Sequence, residues 1–215
     1  MVYTILLIIH IVGGSLALLS AAGAVSTKIF DISHTWHVRS GRLFFIGMTM
    51  VFLTTLPMTL IRPNLFLFLI GIFSFYLAWT GWRRAKNRSG IPGKQDVAAV
   101  IIMGATGLVM LGWGGWLIYS GDGNGITLMV FGGIGGLLSF REFRQFKKGP
   151  VKGKARIRAH LVSMMAATIA AVTAFLVVNV ETDPVWVAWL LPTVIITPII
   201  VWMSRKMLPG LGKLS

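Results

Sequence analysis

The four histidines of this chain offer the widest choice of chemistry, because an imidazole can ligate a metal or haem and can carry a proton. His34 and His37 are three residues apart, so they share a face if this stretch is helical. His160 begins a later apolar stretch. Three imidazoles could hold a divalent metal such as zinc with a water as fourth ligand, and His37 with His160 could hold one haem b. We therefore predict a metal or cofactor site at these three residues; the alternative is a set of histidines near lipid headgroups.

His10 differs from the other histidines because it lies well inside an apolar stretch. It is about eight residues from the N-terminal end, or roughly 12 Å deep at 1.5 Å per helical residue. A polar group at such a depth is costly and asks for a reason. The sequence allows a neutral histidine hydrogen-bonded across helices, with Ser15, Thr106 or Thr193 as partner, or a cofactor-binding or proton-carrying residue.

Three further polar residues stand out against the apolar background. Glu142 is the only acid in a strongly basic linker, and Arg42 lies at the start of the second apolar stretch, so we predict that they pair or that Arg42 binds lipid phosphate. Tyr76 lies inside the third stretch, where its hydroxyl needs a partner. No carboxylate lies in the middle of any stretch, which argues against a transporter driven by buried Asp or Glu. The absence of cysteine excludes disulfides and thiolate ligands.

These residues must be positioned by elements that suit lipid rather than water. The chain has 215 residues, of which 55% are hydrophobic and 12% charged, about half the charged share of a soluble domain. About 20 apolar helical residues span a bilayer core. We predict an all-α integral membrane bundle, one domain over 1–215, with seven transmembrane helices at 2–24, 40–60, 63–82, 97–119, 125–140, 158–179 and 185–204.

The distribution of basic residues predicts the orientation of these helices. Every Lys and Arg except Arg62 falls in the first, third or fifth linker or in the C-terminal tail, which includes Lys213. Such alternation places those segments in the cytoplasm and the N-terminus outside. The net charge of +14 therefore predicts contact with anionic lipid headgroups and not with nucleic acid.

Helices four and five are rich in glycine. Gly132 and Gly136 form a pair of small residues one helical turn apart, a spacing that lets helices approach closely. Packing inside the bundle is the main expectation. A homo-oligomer, or a cofactor lying against bare backbone, is the alternative.

Several motifs resemble those of a bacterial membrane protein family known as domain of unknown function 2306, and the resemblance covers most of the chain. It implies a multi-pass protein of the bacterial inner membrane and no established activity. The sequence departs from the family pattern at Val38, where a basic residue is expected. The motifs are His37-Val38-Arg39-Ser40-Gly41-Arg42, Arg62-Pro63-Asn64-Leu65-Phe66-Leu67-Phe68, Ser74-Phe75-Tyr76 with Gly81-Trp82-Arg83, His160, and Phe175-Leu176-Val177-Val178-Asn179.

Three functions remain open at this point. The first is a haem- or metal-binding, redox-type membrane protein with its histidine site near the cytoplasmic face. The second is a transporter or channel for a small solute, suggested by the basic inner face and the glycine-rich helices. The third is a non-catalytic membrane subunit or a lipid-binding protein, suggested by the basic fifth linker.

Overall fold

The computed structural model describes residues 1–207, so Lys213 of the predicted cytoplasmic tail lies outside the described residues. The described chain is all-helical, which confirms the all-α part of the predicted fold class. Its seven helices are α1 Val2–Ile29, α2 His34–Ile61, α3 Leu65–Lys86, α4 Lys94–Tyr119, α5 Asn124–Lys148, α6 Gly153–Asn179 and α7 Trp186–Met207.

All seven helices are long and apolar enough to cross a membrane, as the sequence predicts. Their predicted ends are accurate at one end of the bundle only. Where few basic residues occur, the observed and predicted ends agree within two residues. At the other end every helix is longer than predicted, and α5 continues eight residues further, to Lys148. The predictions stopped at the first charged residues, but Lys and Arg are good helix formers and extend a helix beyond its apolar part.

The end with the extended helices is called the basic end here. It contains the C-terminal ends of α1, α3, α5 and α7 and the N-terminal ends of α2, α4 and α6. Its linkers are short. The predicted fifth linker of about 17 residues is wrong, since only residues 149–152 separate α5 from α6.

Two helix pairs flank a central helix. α1 packs along α2 and α4 packs along α5, while α3 contacts α2, α4, α5 and α6. α6 also packs against α7 and touches α1. The site described below forms where α1, α2, α3 and α6 meet at the basic end.

Glycines set the distance between the paired helices. A Cβ atom on Gly47 of α2 would lie 2.6 Å from the carbonyl oxygen of Gly13 on α1, so only glycine allows this approach. A Cβ on Gly132 of α5 would lie 2.8 Å from Cβ of Met110 on α4. Gly132 therefore serves packing inside the bundle, which was the main expectation for it.

Candidate functional site

His37 and His160 come together at the basic end, as the sequence predicts for two of its three clustered histidines. Their ring centroids are 6.4 Å apart and the ring planes are nearly perpendicular, at 89°. His37 lies in the first turn of α2, and His160 lies two turns into α6. Residues 123 positions apart in the chain thus form one imidazole pair.

Each ring of this pair is held by a backbone carbonyl of another helix, which is α1 for His37 and α3 for His160. His37 Nδ1 lies 3.1 Å from the carbonyl oxygen of Ala24 on α1, and His160 Nδ1 lies 2.9 Å from that of Gly81 on α3. A carbonyl oxygen only accepts hydrogen bonds, so Nδ1 carries the proton in both rings. In the neutral form each Nε2 then has a free lone pair. Metal-ligating histidines commonly have this arrangement, because the outer hydrogen bond fixes the tautomer and the ring orientation.

Local sequence explains why α6 can bring His160 to α3. A Cβ atom on Gly81 would lie 2.6 Å from the sulfur and 3.0 Å from the backbone nitrogen of Met164, one turn after His160. Glycine at this position lets the two helices touch and leaves the Gly81 carbonyl within reach of the imidazole. On the other side, α1 and α2 are joined by a tight turn in which Asp31 has φ of 49°. This turn places Ala24 beside His37.

His34 does not complete a three-histidine site. Its side chain is exposed at the start of α2. Within residues 1–207 no group of three His, Asp or Glu side chains is arranged to hold a metal ion. The predicted zinc site with three imidazole ligands is therefore not assembled. The reason is helical geometry: residues three apart share a face only approximately, and here His37 turns toward α1 and α6 while His34 remains at the surface.

His10 lies far from this pair, in the half of α1 away from the basic end. Its Nδ1 is 3.0 Å from Oγ1 of Thr54 on α2. The expectation of a hydrogen bond across helices is confirmed, but the three predicted partners are wrong. One sequence does not show that α2 packs along α1. Thr54 also does not stand out, because hydroxyl side chains are common in the apolar helices.

Ion pairs join α3 to its neighbours at the basic end. Arg83 forms a bidentate pair with Asp96 of α4, with Nε–Oδ1 and Nη2–Oδ2 distances of 2.7 and 2.8 Å. Arg84 pairs with Glu142 of α5. The predicted pairing of Glu142 with Arg42 is thus wrong, since Arg42 is exposed. The partner is Arg84 because α3 packs against α5 and brings the two side chains together.

A third arginine links α6 to the same region. Arg156 Nη1 donates to the carbonyl oxygens of Arg84 and Ala85, at 2.6 and 3.0 Å. These three arginines and the two acids line a cavity of about 30 Å³, the size of a single water molecule. Tyr76 is buried two turns before Arg84 on α3, and its hydroxyl makes no hydrogen bond to the described residues. The Arg83–Asp96 pair was missed, although an acid in the first turn of α4 directly after a basic linker was a usable signal.

A second cavity, of about 800 Å³, follows the bundle for most of its length. Its lining reaches from Tyr3 and Arg62 at one end to Arg158 and Arg205 at the basic end, and it includes His10. Most of the lining is apolar, contributed by α2, α3, α5, α6 and α7. His37 and His160 line neither of these two cavities.

Comparison with known proteins adds no assignment, since no family model, no curated protein and no solved structure matches the chain. The resemblance to domain of unknown function 2306 therefore stays a prediction.

Proposed function

We propose that this chain is a multi-pass membrane protein of the redox type, in which His37 and His160 ligate a transition metal, as a bound ion or within haem b. The observation that carries the proposal is the imidazole pair 6.4 Å apart, with both Nδ1 atoms bonded to backbone carbonyls. Two such rings present their Nε2 lone pairs as ligands without any change of tautomer.

The spacing of the two rings suits a shared metal atom. Metal–nitrogen bonds to histidine are about 2.0–2.1 Å long, so two imidazoles on one metal have ring centroids roughly 6 Å apart. Imidazole ligands suit iron, copper, nickel and zinc, and the chain has no thiolate to compete for softer metals. Iron or copper would supply one-electron redox chemistry when bound. A metal ion requires less rearrangement than haem b, because the histidines line neither of the two cavities described.

Exposed apolar side chains support the membrane part of the proposal. Leu19, Leu60, Leu108 and Val178 are 73–78% exposed and lie on four different helices. Such surfaces need lipid as solvent. The distribution of basic residues supports a cytoplasmic location for the basic end and with it for the histidine pair. We keep the bacterial inner membrane as the proposed location and anionic lipid headgroups as partners of the basic end; a homo-oligomer also stays a prediction.

An absorption spectrum combined with elemental analysis of gently purified protein tests the proposal. We expect a Soret band or close to one metal atom per chain. Both His37→Ala and His160→Ala should abolish the signal, whereas His34→Ala, on the same helix as His37, should retain it. An unaltered chain that is purified folded but colourless and metal-free would overturn the proposal, as would a signal that survives both substitutions. Either result would leave transport of a small solute and a non-catalytic or lipid-binding role as the remaining predictions.

A further inference from the structure

The long cavity contains polar groups that the histidine pair does not explain. It is within the size range of pockets that hold drug-sized ligands. Charged side chains lie only toward its two ends, as Arg62 and Arg158 with Arg205. Between them the lining is apolar, apart from a few hydroxyls and His10. Those few polar groups decide what the cavity can recognise.

The hydrogen bonds of Thr54 favour one tautomer of a neutral His10. The Thr54 hydroxyl donates to the backbone carbonyls of Met50 and Val51, at 2.7 and 2.9 Å. Its single proton is thus in use, so toward His10 it can only accept. With the Thr54 hydroxyl donating within its own helix, we assign the proton to His10 Nδ1. Its Nε2 then carries a lone pair that can accept a hydrogen bond from a ligand in the cavity.

Thr173 of α6 supplies the complementary group in the same cavity. Its side chain is 2% exposed, and its hydroxyl has no hydrogen-bond partner among the described residues. Thr168, one and a half turns earlier, instead donates to the carbonyl of Met164 at 3.0 Å. A buried hydroxyl without a partner costs free energy, so the Thr173 hydroxyl is available to donate a hydrogen bond to a ligand.

His10 and Thr173 lie at similar depth below the end of the bundle opposite the basic end. His10 is eight residues from the start of α1, and Thr173 is six residues from the end of α6. These offsets correspond to roughly 12 and 9 Å along the helices. The cavity thus offers one acceptor and one donor at about the same level, with no charged side chain between them.

We propose that this cavity binds an uncharged amphipathic lipid through a hydroxyl group, which donates to His10 Nε2 and accepts from the Thr173 hydroxyl. A hydroxyl is the simplest group that does both at once. An ionised headgroup is disfavoured at this level because the cavity offers it no opposite charge. The apolar part of the lipid lies along the remaining wall toward the basic end. A long-chain alcohol and a phenol such as a quinol share this chemistry.

Two matched pairs of probes test the role of the hydroxyl. Farnesol is compared with its methyl ether, and decylhydroquinone with its dimethyl ether, in equilibrium binding to the purified full chain in nanodiscs. Each ether keeps the apolar body but cannot donate. We expect the preferred hydroxyl compound to bind about tenfold more tightly than its ether, since loss of the bond leaves buried polar groups unpaired. If the farnesol pair shows the larger ratio of affinities, the ligand is a lipid alcohol. If the decylhydroquinone pair shows it, the ligand is a quinol.

Three variants assign the effect to the two residues. His10→Phe and Thr173→Val should each reduce the preference for the hydroxyl compound to near unity while leaving ether binding unchanged. Unchanged ether binding also shows that the variant is folded. Thr168→Val, on the same helix but with a hydroxyl satisfied by backbone, is the matched control and should retain the full preference.

Several results would overturn the proposal. Equal binding of alcohol and ether by the unaltered chain would do so, as would a preference that persists in both variants. Tighter binding of oleate than of either hydroxyl probe, lost in Arg158→Gln, would show instead an anionic lipid held at the basic end, where Arg158 Nε lies 3.1 Å from Ser204 Oγ.

Discussion

The His37–His160 pair and His10 lie in opposite halves of the bundle, yet in all three rings the partner of Nδ1 favours a proton on that nitrogen. At the basic end two rings stand 6.4 Å apart, each tied to a backbone carbonyl of another helix. In the other half a single ring is tied to a threonine hydroxyl and lines a long cavity. In each case the favoured tautomer follows from the partner of Nδ1, which is a carbonyl oxygen or a hydroxyl. What each histidine can do then depends on what lies near its Nε2: another imidazole or space for a ligand.

The largest expected effect comes from Gly81, which allows α6 to approach α3 and so forms the pair. Gly81→Ala places a Cβ 2.6 Å from the Met164 sulfur, and overpacking of this kind costs about 1–3 kcal/mol. We expect a lower thermal unfolding temperature in detergent and loss of the metal signal. Gly112→Ala is the matched control, because its Cβ would meet nothing within 4 Å. A neutral Gly81→Ala would show that close packing of α3 and α6 does not position His160.

The next effect concerns the ion pairs that support the basic end. Asp96→Asn breaks the bidentate bond to Arg83, whose side chain is 26% exposed, so solvent screening limits the loss to about 1 kcal/mol. Unfolding in denaturant measures the loss. Asp122→Asn, at the opposite end, should change stability by less, since Asp122 bonds only one nearby backbone N–H. Equal effects of the two substitutions would argue against a stabilising network at the basic end.

A substitution with an effect of similar size separates the two halves directly. His10→Phe removes one hydrogen bond to Thr54, and we expect it to cost about 0.5–1.5 kcal/mol. It should leave the metal content and any absorption spectrum unchanged, because the pair lies at the other end of α1 and α2. A changed metal content in His10→Phe, in protein that stays folded, would show that the two sites are coupled.

Parts of this account were predictable from sequence, and the reasons for failure are physical. The length of the apolar stretches and the alternation of basic linkers were enough to predict seven helices, because both signals can be read from short stretches of sequence. The positions of the helix ends at the basic end could not be predicted in this way, because the helices continue through charged residues beyond their apolar parts. The pairing of His37 with His160 required α2 and α6 to meet, and that depends on Gly81. The partners of His10 and Glu142 were predicted wrongly for the same reason: contacts between helices are set by packing, which one sequence does not display.

The most direct test of the central claim is X-ray absorption at the metal edge of the purified protein. The account predicts two imidazole nitrogens at about 2.0–2.1 Å from one metal atom, and one fewer in either His37→Ala or His160→Ala that retains residual metal. His34→Ala should give the spectrum of the unaltered chain. A spectrum without histidine scattering, or one that neither substitution changes, would contradict the assignment of His37 and His160 as ligands.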